Sequence, residues 1–519
     1  STLVVSSGAS VTVQGQVSAL ALNVSTGGQV HQDTTPGSTL TLEQLLVHDD
    51  ASVWSQGSLT VSQSTTLAQS STLTVNATAA SVHSLGSSLT VMGPASVLTV
   101  SPEVQLVTPS VYHFSTVLVD GGNSPGTTVQ LSSPGSNPSQ SMQATSVLIQ
   151  NGGWLLLGDS MPVSVDTLTL NGMSLTDASG GLTVPASLEV QQLFSWLGGT
   201  LQGVSTSASL STVTLSCPVT IAGTWPKVAQ FLSVTLSNTF VLDIPSSTGA
   251  LTTQGTVSVV NSASSAMTLC RGTIVVPNGV IANLTNVGGL QLPLGAPCST
   301  SSGTQSVSVG MNLLNMGPVT VSGGSLTLSG SIQNDNDAQF QVSGASSSLS
   351  LLGGGTFSTG RISSSAGASV VIGVVPTIGV VDTQFLFSTA FEILCSGPVA
   401  FQGASVHMLG NFRSTTSTIV SGGIVDFGVF GETDSILAVL QGFLQITDGV
   451  LKVSSFFNAT GTIVVGSTAQ TTGILDIAAG STLGTFGPNV QVATGGILNI
   501  NGGITTGPLS LDVLTVSGT

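Results

Sequence analysis

Some stretches of the sequence bring carboxylates close enough together to act as a pair. His48-Asp49-Asp50 sets an imidazole beside two adjacent acids. A hydrolase uses such groups as general acid and base when both face one groove. Adjacent residues of a strand point to opposite faces, so the pair is read as a solvated turn. Asn334-Asp335-Asn336-Asp337 places two acids among amides, the oxygen donors that calcium takes. The repeating Gly-Gly-x-Gly-x-Asp phrase does not occur, and the stretch is read as a polar loop. His31, His48, His83, His113 and His407 show no ligand spacing to one another or to cysteine, so neither metal nor cofactor is expected.

Other side chains suggest binding. Trp54, Trp154, Trp196 and Trp225 could build a sugar platform, but the chain has a single tyrosine, and core or corner packing is the favoured reading. The pairs Thr39/Thr41, Thr72/Thr74, Thr167/Thr169 and Thr212/Thr214 would suit an ice lattice only if they recurred once per coil. The gaps between successive pairs are too long and too uneven for that. Asn23, Asn76, Asn283 and Asn458 each open an Asn-x-Ser/Thr sequon, a glycan acceptor in a secreted chain.

The elements that hold these groups follow from composition. Charged residues make up 5% of the 519 positions, where a soluble globular protein has about 25%. Hydrophobic residues make up 40%, too many for a disordered chain. Ser, Thr, Gly or Asn interrupts every apolar run, so no stretch reads as a membrane-spanning helix. The net charge is −16, and the five bases are Lys227, Arg271, Arg361, Arg413 and Lys452. Their wide spacing excludes nucleic acid, which needs clustered cations, and an anionic membrane surface. Ser1 in place of Met reads as a processed or trimmed form. Sequons, few charges and few cysteines together point to a secreted, extracellular or cell-surface location.

A short phrase recurs along the chain: Gly or Ser, then alternating apolar and hydroxyl residues. Gly37-Ser-Thr-Leu-Thr-Leu42 and Gly57-Ser-Leu-Thr-Val61 are examples. The period of two puts Leu and Val on one face of a strand and Thr on the other. Leu326, Leu349 and Val370 hold one place in successive phrases, as do Leu475 and Leu498. Intervals this short fall well below a propeller blade and fit one solenoid coil. Leu40, Leu59, Leu73 and Leu89 keep no such rhythm, which coils of two or three strands with variable loops would produce. The expected fold is all-β: one continuous solenoid over 1–519, looser over 1–190 and more regular over 191–519. At about 23 residues per coil it makes about 22 coils and a rod about 105 Å long.

Asn315-Met-Gly-Pro-Val-Thr-Val-Ser-Gly-Gly-Ser-Leu-Thr-Leu-Ser-Gly330, followed by Phe340-Gln-Val-Ser-Gly-Ala-Ser-Ser-Ser-Leu349, resembles the repeats of right-handed parallel β-helices. Such repeats occur in adhesin-like and filamentous-haemagglutinin-like secreted proteins, within the broad pectin-lyase-like fold. The resemblance implies a β-helix and leaves function open, because one coil type serves adhesins, enzymes and fibres. A lyase of this fold needs a basic proton abstractor with cations or calcium, and the bases here are scattered. Asp49-Asp50 resembles the Asp-Asp of polygalacturonases, without that family's Gly-His-Gly and Arg-Ile-Lys phrases.

Cys217, Cys270, Cys298 and Cys395 allow three pairings. Cys270 and Cys298 lie about one coil apart, within disulfide reach. Cys395 lies about four coils further, about 19 Å along the axis.

The expected function is structural and non-enzymatic: a glycosylated rod in a surface layer, appendage or filament. A glycan-binding adhesin is the alternative, and a polysaccharide-active enzyme ranks third. Both ends read as apolar strands, Ser1–Val5 and Leu511–Ser517. Either subunits stack end to end into a fibre or the caps lie outside this chain.

Overall fold

A computed structural model describes the chain apart from residues 34–37, 76–82, 93–95, 101–110, 122–126, 132–140, 158–160, 173–179, 185–186, 204–209, 245–249, 295–297, 299–304, 374–382, 429–436, 468–470, 480, 488, 502, 506–512 and 517–519. The described residues are strands, turns and irregular backbone, with no helix among them. Two compact units form: residues 1–260 with 274–282, and residues 261–273 with 283–519.

In the first unit the strand Thr39–Val47 lies parallel to the strand Ser58–Ala68, with a register shift between Leu42 and Gln44. The shift divides each strand into two segments. Ser52–Ser55 then pairs in parallel with Thr72–Val75. Each coil thus contributes three strand segments to three faces, the pattern of a β-solenoid. Leu40 stacks on Leu59, and Val53 stacks on Leu73. The irregular spacing of these leucines follows from that, because Leu59 and Leu73 sit on different faces of one coil. Coil length is also uneven. Thr2 returns onto Ala21, whereas Val97 returns onto Thr128 only after a much longer excursion.

The second unit repeats the plan. Ile332–Asn334, Gln339–Val342 and Ser348–Leu351 form one coil, and Gly355–Phe357, Gly360–Ser364 and Ser369–Gly373 form the next. Leu326, Leu349 and Val370 stack in register, and so do Leu475 and Leu498, as their spacing predicts. Thr and Ser of the phrase point outward and Leu and Val inward, in alternation along nearly every strand. Burial of these apolar rows drives folding, at roughly 25 cal/mol per Å² removed from water.

Inside the second unit, the inward place at the end of one face is held by Asn286, Asn315 and Asn334 in successive coils and then by Phe357 and Phe387. The two aromatics pack together, with Phe357 and Phe387 centroids 4.5 Å apart. The asparagines join by their amides, Asn261 to Asn286 at 2.8 Å, Asn286 to Asn315 at 2.8 Å and Asn315 to Asn334 at 2.7 Å. All four are fully buried. The ladder ends where Asn334 Nδ2 donates to the carbonyls of Ala338 and Thr359. Buried amides are tolerable only when paired in this way.

Candidate functional site

His48-Asp49-Asp50 lies at a corner of the first unit. Asp49 and Asp50 both have positive φ, 57° and 59°, a conformation Asp adopts more readily than most residues. Thr26-Gly27 one coil earlier and Gln69-Ser70 one coil later have the same form. The three corners hold each other through the backbone: Gly27 N donates to Asp49 O and Asp50 N to Gln69 O. His48 Nδ1 lies 2.7 Å from Asp49 Oδ2, and its Nε2 lies 3.0 Å from Asn23 Oδ1. This is a stacked turn with one carboxylate engaged by the imidazole.

Asn334-Asp335-Asn336-Asp337 is divided by the fold. Asn334 turns into the core as the end of the amide ladder. Asp335 Oδ2 accepts a hydrogen bond from Gln333, and the Asp337 N–H donates to Thr359 Oγ1. Asn336 and Asp337 form a left-handed corner like Asp49-Asp50. Among the described residues, no three His, Cys, Asp or Glu side chains meet as a metal site would require.

The sequons differ in setting. Asn283 is exposed on a strand, and its Oδ1 accepts from Asn312 Nδ2. Asn23 and Asn458 are half-buried, with Asn458 Oδ1 accepting from the Thr485 N–H. Asn76 lies outside the described residues. Cys270 and Cys298 are joined by a disulfide with 5.1 Å between their Cα atoms. Cys217 and Cys395 are buried thiols. Burial pushes both up in pKa, Cys395 to about 11, so neither is a ready nucleophile at neutral pH.

The tryptophans also separate. Trp196 is buried and donates to the Gly199 carbonyl, while Trp154 and Trp225 are half-buried. Trp54 is 41% exposed and lies beside His31 on the adjacent coil, with ring centroids 4.2 Å apart. Thr72 and Thr74 stack on Ser52 and Trp54, and Thr167 and Thr169 stack on Ser146 and Leu148. A Thr-x-Thr pair at these places does not meet another on the preceding coil.

Two of the five bases, Arg361 and Lys452, are placed in register with acids by the coil. Arg361 is in register with Glu392. His407, Asp426, Lys452 and Asp476 form one row across four successive coils. Their offsets along the chain are unequal, which hides the row from any periodic reading. Burial raises the pKa of Asp426, an effect opposed by the charges of His407 and Lys452. Lys227 is different: it is 0% exposed and its Nζ donates to the Trp225 carbonyl at 2.8 Å. Burial lowers its pKa to about 8.

Compared with known proteins, the chain matches no family model, no curated protein and no solved structure.

Proposed function

We propose that this chain is a structural, non-enzymatic, extracellular protein. In this reading it is a glycosylated right-handed β-helix of about 22 coils, the subunit of a cell-surface layer, appendage or filament. Self-association end to end builds the assembly, and the only other partners are covalent glycans. The observation that carries the reading is the coil-on-coil register. Each coil offers three parallel strand edges to the next while hydroxyls and amides wet the outside. A further coil of the same kind extends such a stack without closing it. The Cys270–Cys298 disulfide supports an oxidising compartment, and the exposed Asn283 supports glycan attachment.

Electron microscopy with sedimentation tests this. Filaments that lengthen by about 105 Å per subunit support the proposal, and failure to elongate at any concentration overturns it. A second reading, a glycan-binding adhesin, is favoured by the exposed Trp54 beside His31, since an aromatic face can stack on a sugar ring. Binding on a glycan array that is lost in Trp54→Ala would favour it, and turnover of a polyuronate would replace both readings.

A further inference from the structure

We propose that one face of the second unit is a self-complementary surface on which a second copy of this chain lies antiparallel. Two outward rows run side by side there. One is charged: His407, Asp426, Lys452 and Asp476 in successive coils, with Leu386 before them and Asn499 after. The other, two residues earlier on each strand, is mostly apolar: Ser405, Ile424, Val450, Ile474 and Ile497. Ile424 is 40% exposed and Ile497 is 43% exposed. Outward places elsewhere in this unit are mostly hydroxyls and amides, so a run of β-branched residues there marks a contact surface.

The order of charges selects the partner. Read along the coils, the row runs positive or neutral, negative, positive, negative. Reversed, it is its own complement. A two-fold axis along the strand direction, between the Asp426 and Lys452 coils, sets Asp426 of each copy opposite Lys452 of the other. The same axis sets His407 opposite Asp476 and Ile424 opposite Val450. A two-fold axis parallel to the coil stack would instead lay the charged row on the apolar one. Interfaces of this isologous kind are the commonest in homo-oligomers, and alternating charge fixes their register.

The face is modest in size. About six coils at about 4.8 Å and segments of about four residues at about 3.3 Å give roughly 29 by roughly 13 Å. That is about half the ~800 Å² per partner of a standard interface. The pair is therefore weak in isolation, forming at about 100 µM, and would gain strength where subunits repeat along a filament. It does not depend on end-to-end stacking.

Solution scattering of the full chain reads lateral pairing as a particle of twice the single-chain mass that stops there, because a two-fold pair closes, or, where chains also stack end to end, as a doubled mass per unit length. At about 100 µM the wild type is expected to approach the doubled value. Asp426→Lys and Lys452→Asp, each folded by circular dichroism, should each lose it, because like charges then meet. An equimolar mixture of the two should regain it. In the mixed pair both lysines of the first variant face both aspartates of the second. Ile424→Lys, which leaves the charged row intact, should weaken pairing at least tenfold and serves if a charge variant fails to fold. A wild type that shows neither doubling, pairing undiminished in any of these variants, or folded charge variants that do not pair when mixed would overturn the proposal.

Discussion

Asn286 donates from its side-chain Nδ2 to Asn315 Oδ1 across 2.8 Å, one coil away and wholly out of water. Each amide in this ladder satisfies its neighbour's oxygen and is satisfied in turn. The arrangement fixes register, because a one-residue slip would expose the amides and bury the outward side chains.

Replacing Asn315 with Leu should therefore be severe. It leaves Asn286 Nδ2 and Asn334 Oδ1 buried without their partner, a penalty of about 1–3 kcal/mol for each group. We expect a loss of about 2–5 kcal/mol in chemical denaturation. A variant as stable as the wild type would show that the ladder is dispensable.

Lys227 makes stability depend on pH in the alkaline range. Its pKa falls from 10.5 in the open chain to about 8 in the fold, so between those values the unfolded state binds more protons. Stability should rise as pH increases from about 8 to about 10. Lys227→Met should be more stable than the wild type at pH 7 by about 2–3 kcal/mol, and the difference should close as pH rises from about 8 to 10.5. Parallel denaturation curves across the neutral and alkaline range measure it, and a gap that does not change with pH would refute the assignment.

The Cys270–Cys298 bridge joins residues 28 apart in sequence. Closing such a loop in the unfolded chain contributes about 3–4 kcal/mol on chain-entropy grounds. Cys270→Ser should lose that amount, and peptide mapping of the wild type under non-reducing conditions should recover a single linked pair. A Cys217–Cys395 peptide would contradict the buried thiols.

Local chemistry is legible without any structure. Alternation of Leu or Val with Thr or Ser requires strands with one dry face, and the Leu326–Leu349–Val370 spacing announces their stacking. These signals can be read because a strand's period of two and a coil's return are both written in the chain's own rhythm. Left-handed corners such as Asp49-Asp50 and Asn336-Asp337 read from sequence only as polar turns, and it is the fold that stacks Asp49-Asp50 on equivalent corners of the neighbouring coils. Which residues meet across coils is a different matter, set by the folded chain as a whole. The short return of Thr2 onto Ala21 and the long one of Val97 onto Thr128 show that coil length is not constant. No fixed spacing therefore links Asp426 to Lys452 or Asn286 to Asn315. The same closure that buries Asn334 in the core lines four ionisable residues up on the outside. A coil returns when its own loops permit, and only the completed turn sets one side chain above another.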